Sequence, residues 1–260
     1  MQRSRLCVAT AGLAPGLRAG LRRARLLGVA GVEIDARTEL DGARLSATGV
    51  RQLRTWLADE GLVVAALRFP TRGGYGDEER LEERIAGTRR ALELAHALGA
   101  ATVTNHVGAV PPDGATAWGT LLEALRDVAA AGERAGATFC AEAGRAAPAE
   151  LLSLAAALPE GAFGCTLVTG ALVVHGHEPA AAAAELGGLV RHVRLTDALV
   201  GSFAGHGRPA VLGRGSVDVP AALATLDERD YRGWFGLEAV DAADPAGELS
   251  GVVARLESLG

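Results

Sequence analysis

The sequence predicts an α/β fold, a single (β/α)8 barrel (TIM barrel) that forms one domain over residues 1–260. Short apolar segments alternate without a break with longer segments whose apolar residues recur at helical spacing, which favours a parallel sheet. Eight such strand–helix units can be traced, and the length of 260 residues suits a barrel of about 250 residues. No linker of disordered composition separates two halves, so we expect one domain.

Eight segments are predicted as strands from their apolar residues and their boundaries. They are Leu6–Ala9, Gly31–Asp35, Leu62–Phe69, Ala101–His106, Ala137–Glu142, Phe163–Val168, Val190–Thr196 and Gly233–Glu238. The segments between them have helical periodicity or helix-start signals such as an early proline. The predicted helices are Leu17–Leu27, Thr48–Glu60, Asp77–Leu98, Trp118–Ala135, one beginning near Pro148, Pro179–Leu186, Pro220–Glu228 and Ala246–Leu259, with a glycine-rich loop over Ala198–Gly215.

Composition excludes several classes of function. A net charge of −5 argues against non-specific binding to nucleic acid or to an anionic membrane. No apolar run approaches the roughly 20 residues of a membrane-spanning helix, and the start of the chain lacks a signal-peptide pattern. All 26 basic residues are arginine, so Schiff-base chemistry on a lysine is excluded. We therefore expect a cytoplasmic enzyme that acts on a small molecule.

Two glutamates that end predicted strands are the most informative residues of the chain. Glu142 follows the apolar stretch Ala137–Ala141, and Glu238 follows Gly233–Leu237. A carboxylate is costly inside a fold unless it is paired, bound to a cation or functional. Because barrels of this type carry their sites at the carboxyl ends of the strands, we expect the two glutamates to meet at one site.

Strand parity adds further inward-facing candidates, since alternate residues of a strand face opposite sides of the sheet. Each has a structural alternative: Asp35 and Glu33 could pair with Arg37 or Arg68, His106 could be a hydrogen-bonded rim residue, and Asp197 could cap its loop. Arg208 could be a solvated loop residue, and Trp234 could form a floor below Glu238. The predicted substrate-binding residues are Glu33, Asp35, Arg68, His106, His192, Asp197, Arg208 and Trp234.

Several stretches, in order, resemble the sugar isomerase/epimerase barrels, the xylose isomerase-like superfamily to which the sugar phosphate isomerases/epimerases belong. Leu27–Ile34 is similar to the opening signature of that superfamily, and the strand ending in Glu142 is similar to another of its motifs. Further similar stretches are Ala91–Ala100, His192–Asp197, Leu212–Asp218 and Tyr231–Glu238.

The resemblance implies a divalent cation (Mn, Mg or Zn) held by a glutamate of strand five, an aspartate of strand six, a histidine of strand seven and a glutamate of strand eight. Glu142 and Glu238 match the two glutamates, but Val168 and Arg194 stand at the other two positions. Valine cannot bind a metal ion and arginine is permanently cationic, so we expect no metal in the usual site. If a metal binds at all, the expected ligands are Glu142, Glu238 and His206. We expect Arg194 to bridge Glu142 and Glu238 instead.

By resemblance, the chain is expected to be a sugar isomerase or epimerase, acting on a sugar, a sugar phosphate or a related polyol derivative. Glu142 and Glu238 would move a proton next to a carbonyl, and Arg194 would stabilise the developing negative charge. Two alternatives stay open: a metal-independent lyase or dehydratase of the same fold, and a catalytically inactive barrel that binds a ligand or a partner. Related barrels often dimerise, so the resemblance also implies a homodimer.

Overall fold

A computed structural model describes residues 5–240 and 243–258, and these form a closed eight-stranded barrel of parallel strands surrounded by helices. The barrel strands are β1 (Leu6–Ala9), β2 (Gly31–Asp35), β3 (Val63–Arg68), β4 (Thr102–Asn105), β5 (Thr138–Ala143), β6 (Phe163–Val168), β7 (Val190–Leu195) and β10 (Trp234–Leu237). Around the barrel their order is β1-β10-β7-β6-β5-β4-β3-β2. The predicted (β/α)8 barrel is therefore confirmed.

The helices lie outside the barrel, and all except α9, which follows β10, lie between successive barrel strands. They are α1 (Leu17–Leu26), α2 (Ala47–Glu60), α3 (Leu81–Ala97), α4 (Thr116–Ala135), α5 (Pro148–Ala156), α6 (Thr169–Val174), α7 (Pro179–Leu186), α8 (Val219–Glu228) and α9 (Pro245–Ser258). Short 3-10 turns cover Asp41–Ala43 and Gly187–Leu189. Within the described ranges, no helix combines the length and the apolar character that crossing a membrane requires.

The apolar core lies between the strands and the helices, as the parity of β2 shows. Val32 and Ile34 are fully buried in this core, whereas Glu33 between them points the opposite way and contacts side chains of β7 inside the barrel. Burying apolar side chains of this kind contributes about 1.5–3 kcal/mol each. The layer therefore stabilises the barrel while its interior remains available for polar groups.

Three segments differ from the prediction, and one of them is α6, a short helix directly after β6 that was not predicted. Helix α3 begins at Leu81 rather than at Asp77, because Arg80 has a left-handed backbone (φ 54°) and the Asp77 carboxylate accepts a bond from Glu79 N in a preceding turn. The predicted loop Ala198–Gly215 contains an antiparallel ribbon of β8 (Asp197–Val200) and β9 (Gly207–Ala210). Its exposed residues have little apolar alternation, so no strand pattern is visible in this stretch of the sequence.

Candidate active site

Five alternating acidic and basic side chains form a continuous chain of ion pairs inside the barrel. We call this group the charge chain: Glu33, Arg194, Glu142, Arg68 and Glu238. The residues lie at or near the carboxyl ends of their strands. Arg194 Nη2 is 3.0 Å from Glu33 Oε1 and its Nη1 is 2.8 Å from Glu142 Oε1. Arg68 then lies 4.0 Å from Glu142 Oε1 and 3.5 Å from Glu238 Oε1.

The inner end of the charge chain is shielded from solvent. Glu33 is 3% exposed, and its Oε2 is 2.9 Å from Nε2 of the buried His192. Arg194 also donates from Nη2 to Thr104 Oγ1 at 3.1 Å. Burial alone would raise the pKa of Glu33, but Arg194 and then His192 offset it, so the pKa lies well below its usual range. Glu33 is therefore a buried carboxylate that holds Arg194 in place.

The outer end of the charge chain is open to a ligand. Burial would raise the pKa of Glu142, but the neighbouring Arg194 and Arg68 lower it overall, so this carboxyl is ionised at neutral pH. The side chains of Arg68 and Glu238 are 30% and 37% exposed. The mouth of the barrel thus presents two carboxylates with one guanidinium between them.

This geometry corrects one expected pairing and one of the structural alternatives. We expected Arg194 to bridge Glu142 and Glu238, but it bridges Glu33 and Glu142. Arg68 takes the position next to Glu238 and also lies near Glu142, instead of pairing with Glu33. The reason is that the β7–β10 register pairs Arg194 with Gly236, so Glu238 lies two residues further toward the mouth, about 6–7 Å along the strand.

The side chains at the family's metal position do not fit a divalent cation. Val168, level with Arg194 in the β6–β7 pairing, offers no ligand atom. The guanidinium of Arg194 is in direct contact with Glu142, where it would repel a metal ion. No group of three His, Cys, Asp or Glu side chains suited to a metal occurs among residues 5–240 and 243–258. His206, the third residue of the alternative ligand set, is exposed in the β8–β9 turn against Phe203. Glu142, Glu238 and His206 therefore do not form such a group.

Two predicted substrate-binding residues, Asp197 and Trp234, make contacts that match their structural alternatives. The buried carboxylate of Asp197 accepts hydrogen bonds from the backbone N–H groups of residues 198, 213, 215 and 217, at 2.8–3.0 Å. Both oxygens are therefore engaged in closing the loop after β7. Trp234 lies at the amino-terminal end of its strand, where its ring would be 2.9 Å from a Cβ on Gly31. Its indole lies at the barrel floor, at the opposite end of β10 from Glu238.

The remaining predicted residues lie around the rim. His106 is half-buried and its Nε2 is 2.7 Å from the carbonyl oxygen of Thr71. Asp35 uses Oδ1 to accept bonds from the N–H groups of Arg37 and Thr38, which shapes the turn after β2. Arg208 is exposed on the β8–β9 ribbon, opposite Leu199. His106 directly follows β4, whose Thr104 accepts a hydrogen bond from Arg194. Asp35 ends β2, whose Glu33 pairs with Arg194.

Sequence reasoning missed Glu39, which follows β2 at the edge of the barrel. Its Oε2 accepts bonds from Thr10 Oγ1 at 2.8 Å and from Asp35 N at 2.9 Å, tying the loops after β1 and β2 together. Burial raises the pKa of Glu39 although both bonds lower it. No spacing signal marks this residue, because its partners come from separate loops.

The protein is a (β/α)8 barrel whose charge chain lies at the carboxyl ends of the strands, where barrels of this fold carry their sites. The sequence profile described as "Xylose isomerase-like TIM barrel" matches residues 21–257. The chain belongs to that family. The resemblance read from the sequence motifs is thereby confirmed.

Solved structures of similar fold include sugar epimerases. A xylose isomerase domain protein from Planctomyces limnophilus has a TM-score of 0.86 and 21% identity, covering 98% of this chain and 95% of that one. L-ribulose 3-epimerase has a TM-score of 0.78 and 18% identity, covering 98% of this chain and 94% of that one. 3-keto-D-glucoside 4-epimerase from E. coli has a TM-score of 0.80 and 18% identity, covering 98% of this chain and 99% of that one. Comparison with curated protein sequences finds no match.

Proposed function

We propose that the protein is a sugar isomerase or epimerase that moves a proton next to a carbonyl without a divalent metal. The substrate class is a small carbohydrate or a polyol-derived ketone. One observation carries the proposal: Arg68 lies within 4.0 Å of both Glu142 and Glu238 at the open end of the barrel. Two carboxylates flanking one guanidinium are the groups that abstraction and return of a carbon-bound proton require.

Glu142 acts as the base in this proposal. Its lowered pKa keeps it ionised at neutral pH, and it is the carboxylate in contact with both arginines. When it removes a proton from the carbon beside the carbonyl, negative charge develops on the carbonyl oxygen. Arg68, partly exposed at the mouth, is placed to stabilise that charge.

Glu238 acts as the acid that returns a proton. Delivery to the neighbouring carbon gives isomerisation, and delivery to the opposite face of the same carbon gives epimerisation. Loss of a β-hydroxyl from the same enediolate would instead make the enzyme a lyase or dehydratase. The names of the similar structures, which include two epimerases, support the first pair of outcomes.

Positive charge from Arg194 and Arg68 replaces that of a metal ion in this mechanism. Support comes from the ligand positions, where Val168 and Arg194 provide no donor for a cation. Arg194 is fixed by Glu33 on one side and by Glu142 on the other, so its guanidinium is preorganised. A preorganised charge stabilises a transition state without reorganisation at the moment of reaction.

The test is exchange of a carbon-bound proton with solvent. We expect incubation with a panel of ketoses in D2O to give deuterium next to the carbonyl of one substrate, detected by NMR, in the presence of a chelator. Glu142→Gln and Glu238→Gln should each reduce exchange by at least about 100-fold, since general acid–base catalysis contributes 10²–10⁴-fold. Glu93→Gln, an exposed position on α3, is the matched control. Exchange that is abolished by the chelator and restored by Mn²⁺ would contradict the metal-free mechanism.

A ligand-binding barrel without catalysis is the second candidate, favoured by the low proton affinity that Arg194 and Arg68 impose on Glu142. A carboxylate with a lowered pKa is a weak base. In this case a carbohydrate should stabilise the protein against thermal unfolding but show no deuterium incorporation. NMR of the same samples also identifies the product, which separates isomerisation, epimerisation and elimination.

A further inference from the structure

A second polar cavity lies beside the barrel mouth, and the charge chain takes no part in it. It has a volume of about 560 Å³ and is formed by the loops after β2 and β3 together with the first turns of α3. We call it the arginine cavity because its lining includes Arg37, Arg44, Arg72, Arg80, Arg84 and Arg90. A volume of this size suits a small organic ligand rather than a single ion.

The lining of the arginine cavity carries a net charge opposite in sign to that of the whole chain. Four carboxylates also line it, from Asp41, Asp77, Glu79 and Glu83, so its lining carries a net charge of +2, whereas the chain as a whole carries −5. A concave surface whose sign opposes the net charge concentrates ligands of the other sign. An anion is therefore the ligand class that the cavity fits.

Three of the arginines already have internal partners. Arg80 forks onto Glu83, with N···O distances of 3.2 and 2.6 Å, which also neutralises that carboxylate. Arg84 donates to the backbone carbonyls of Glu79 and Asp77. Arg37 uses one N–H group on the carbonyl of Pro70 at 3.1 Å. These bonds hold the loops in shape and leave the other arginines for a ligand.

Arg44, Arg72 and Arg90 are the available cations. In the described part of the chain, none of their three guanidinium groups makes a hydrogen bond or an ion pair within 4.0 Å. Arg90 is half-buried and its Nε is both shielded from solvent and without a partner. A buried donor without a partner is costly unless something else satisfies it.

Gly87 shapes the wall of the arginine cavity. A Cβ at this position would lie 2.7 Å from the ring of Phe69 and 3.7 Å from Arg90 Nη2. Any side chain larger than hydrogen would therefore displace Phe69 and narrow the space beside the Arg90 guanidinium. Glycine keeps an aromatic wall and a guanidinium side by side, which suits a ligand with an anionic group and a less polar body.

We infer that the arginine cavity binds a small phosphate monoester. Guanidinium groups from three separate segments match the several oxygens of a phosphate, which accepts forked hydrogen bonds and carries nearly two negative charges. A monocarboxylate offers one charge and two oxygens, too few for three unpaired arginines. The site is separate from Glu142 and Glu238, so it binds independently of the carbonyl chemistry.

Calorimetric titration at 150 mM NaCl tests the inference with ribose 5-phosphate, AMP and inorganic phosphate as probes. We expect saturable binding of one ester per chain, competed by inorganic phosphate but not by acetate at the same ionic strength. Arg44→Gln/Arg72→Gln removes two exposed, unpaired cations and should weaken binding by at least about tenfold, because each charged hydrogen bond is worth that much or more. The sugar phosphate and the nucleotide distinguish what the remaining cavity recognises.

The matched control is Arg23→Gln/Arg54→Gln, which removes the same charge at two exposed positions outside the cavity. It should change the dissociation constant by less than about twofold. Arg90→Gln should also weaken binding, with its folding checked by circular dichroism. The inference would be overturned by equal losses of affinity in both double variants, by competition from acetate, or by a lack of saturation up to about 10 mM ester. None of these results would bear on proton exchange at Glu142.

Discussion

The two ends of the charge chain use the same chemistry in different surroundings. Glu33 and Arg194 pair at 3.0 Å with each side chain 3% exposed, whereas Arg68 and Glu238 pair at 3.5 Å with 30% and 37% exposed. An exposed ion pair contributes about 0–1 kcal/mol, but removing one partner of a buried pair costs about 3–5 kcal/mol. The inner end therefore fixes the geometry, and the outer end remains free to interact with a substrate.

The largest expected effect comes from breaking the inner end. Glu33→Gln should lower the free energy of unfolding by about 3–5 kcal/mol, since it leaves Arg194 buried with one carboxylate fewer. Glu238→Gln, the matched change at the outer end, should cost less than about 1 kcal/mol. Urea denaturation followed by circular dichroism measures both. Equal costs at the two ends would show that burial does not divide the charge chain as described.

Asp197 is a second buried carboxylate, and it is held by backbone N–H groups instead of by arginine. Asp197→Asn should cost about 2–3 kcal/mol of unfolding free energy, because an amide NH2 would face backbone donors that now bond to a carboxylate oxygen. Asp218 caps α8 through one bond to Ala221 N and is exposed. Asp218→Asn should therefore cost less than about 1 kcal/mol. A cost for Asp197→Asn as small as that of the cap would reject the loop-closing role.

Strand parity predicted much of the candidate site, because it depends only on local alternation. Glu33, Arg194 and His192 point into the barrel as their positions within the strands require, and Glu142 contacts Arg194 there. Parity does not give height along the barrel axis. Parity alone therefore also predicts Trp234 for the substrate site, although Trp234 lies at the level of His192 near the barrel floor.

Contacts between distant elements were beyond local reasoning. Which carboxylate Arg194 reaches depends on the register of β7 with its neighbours, and the sequence does not specify register between segments. Asp197 bonds to groups up to 20 residues away, so its role depends on how the following loop returns. The arginine cavity likewise joins Arg44, Arg72 and Arg90 from three segments, each of which alone resembles ordinary surface charge.

The smallest effect expected is on the pH dependence of stability, and it compares the middle of the charge chain with its outer end. The folded-state pKa of Glu142 is below its ordinary value of 4.5, so at low pH the unfolded chain binds more protons than the folded one. Its contribution is present above the unfolded pKa and is lost as the pH falls through the folded pKa. The loss amounts to at most about 1.4 kcal/mol per pH unit for one group.

Glu142→Gln should therefore make the decline in unfolding free energy from about pH 5 to pH 3 shallower than in the unmodified protein. Glu238→Gln serves as the comparison, since it removes an acid at the exposed end where its pair with Arg68 is the weaker one. Urea unfolding at several pH values gives the slopes. If Glu142→Gln leaves the slope unchanged, Arg194 and Arg68 do not hold this carboxyl ionised, and its assignment as the base loses its electrostatic support.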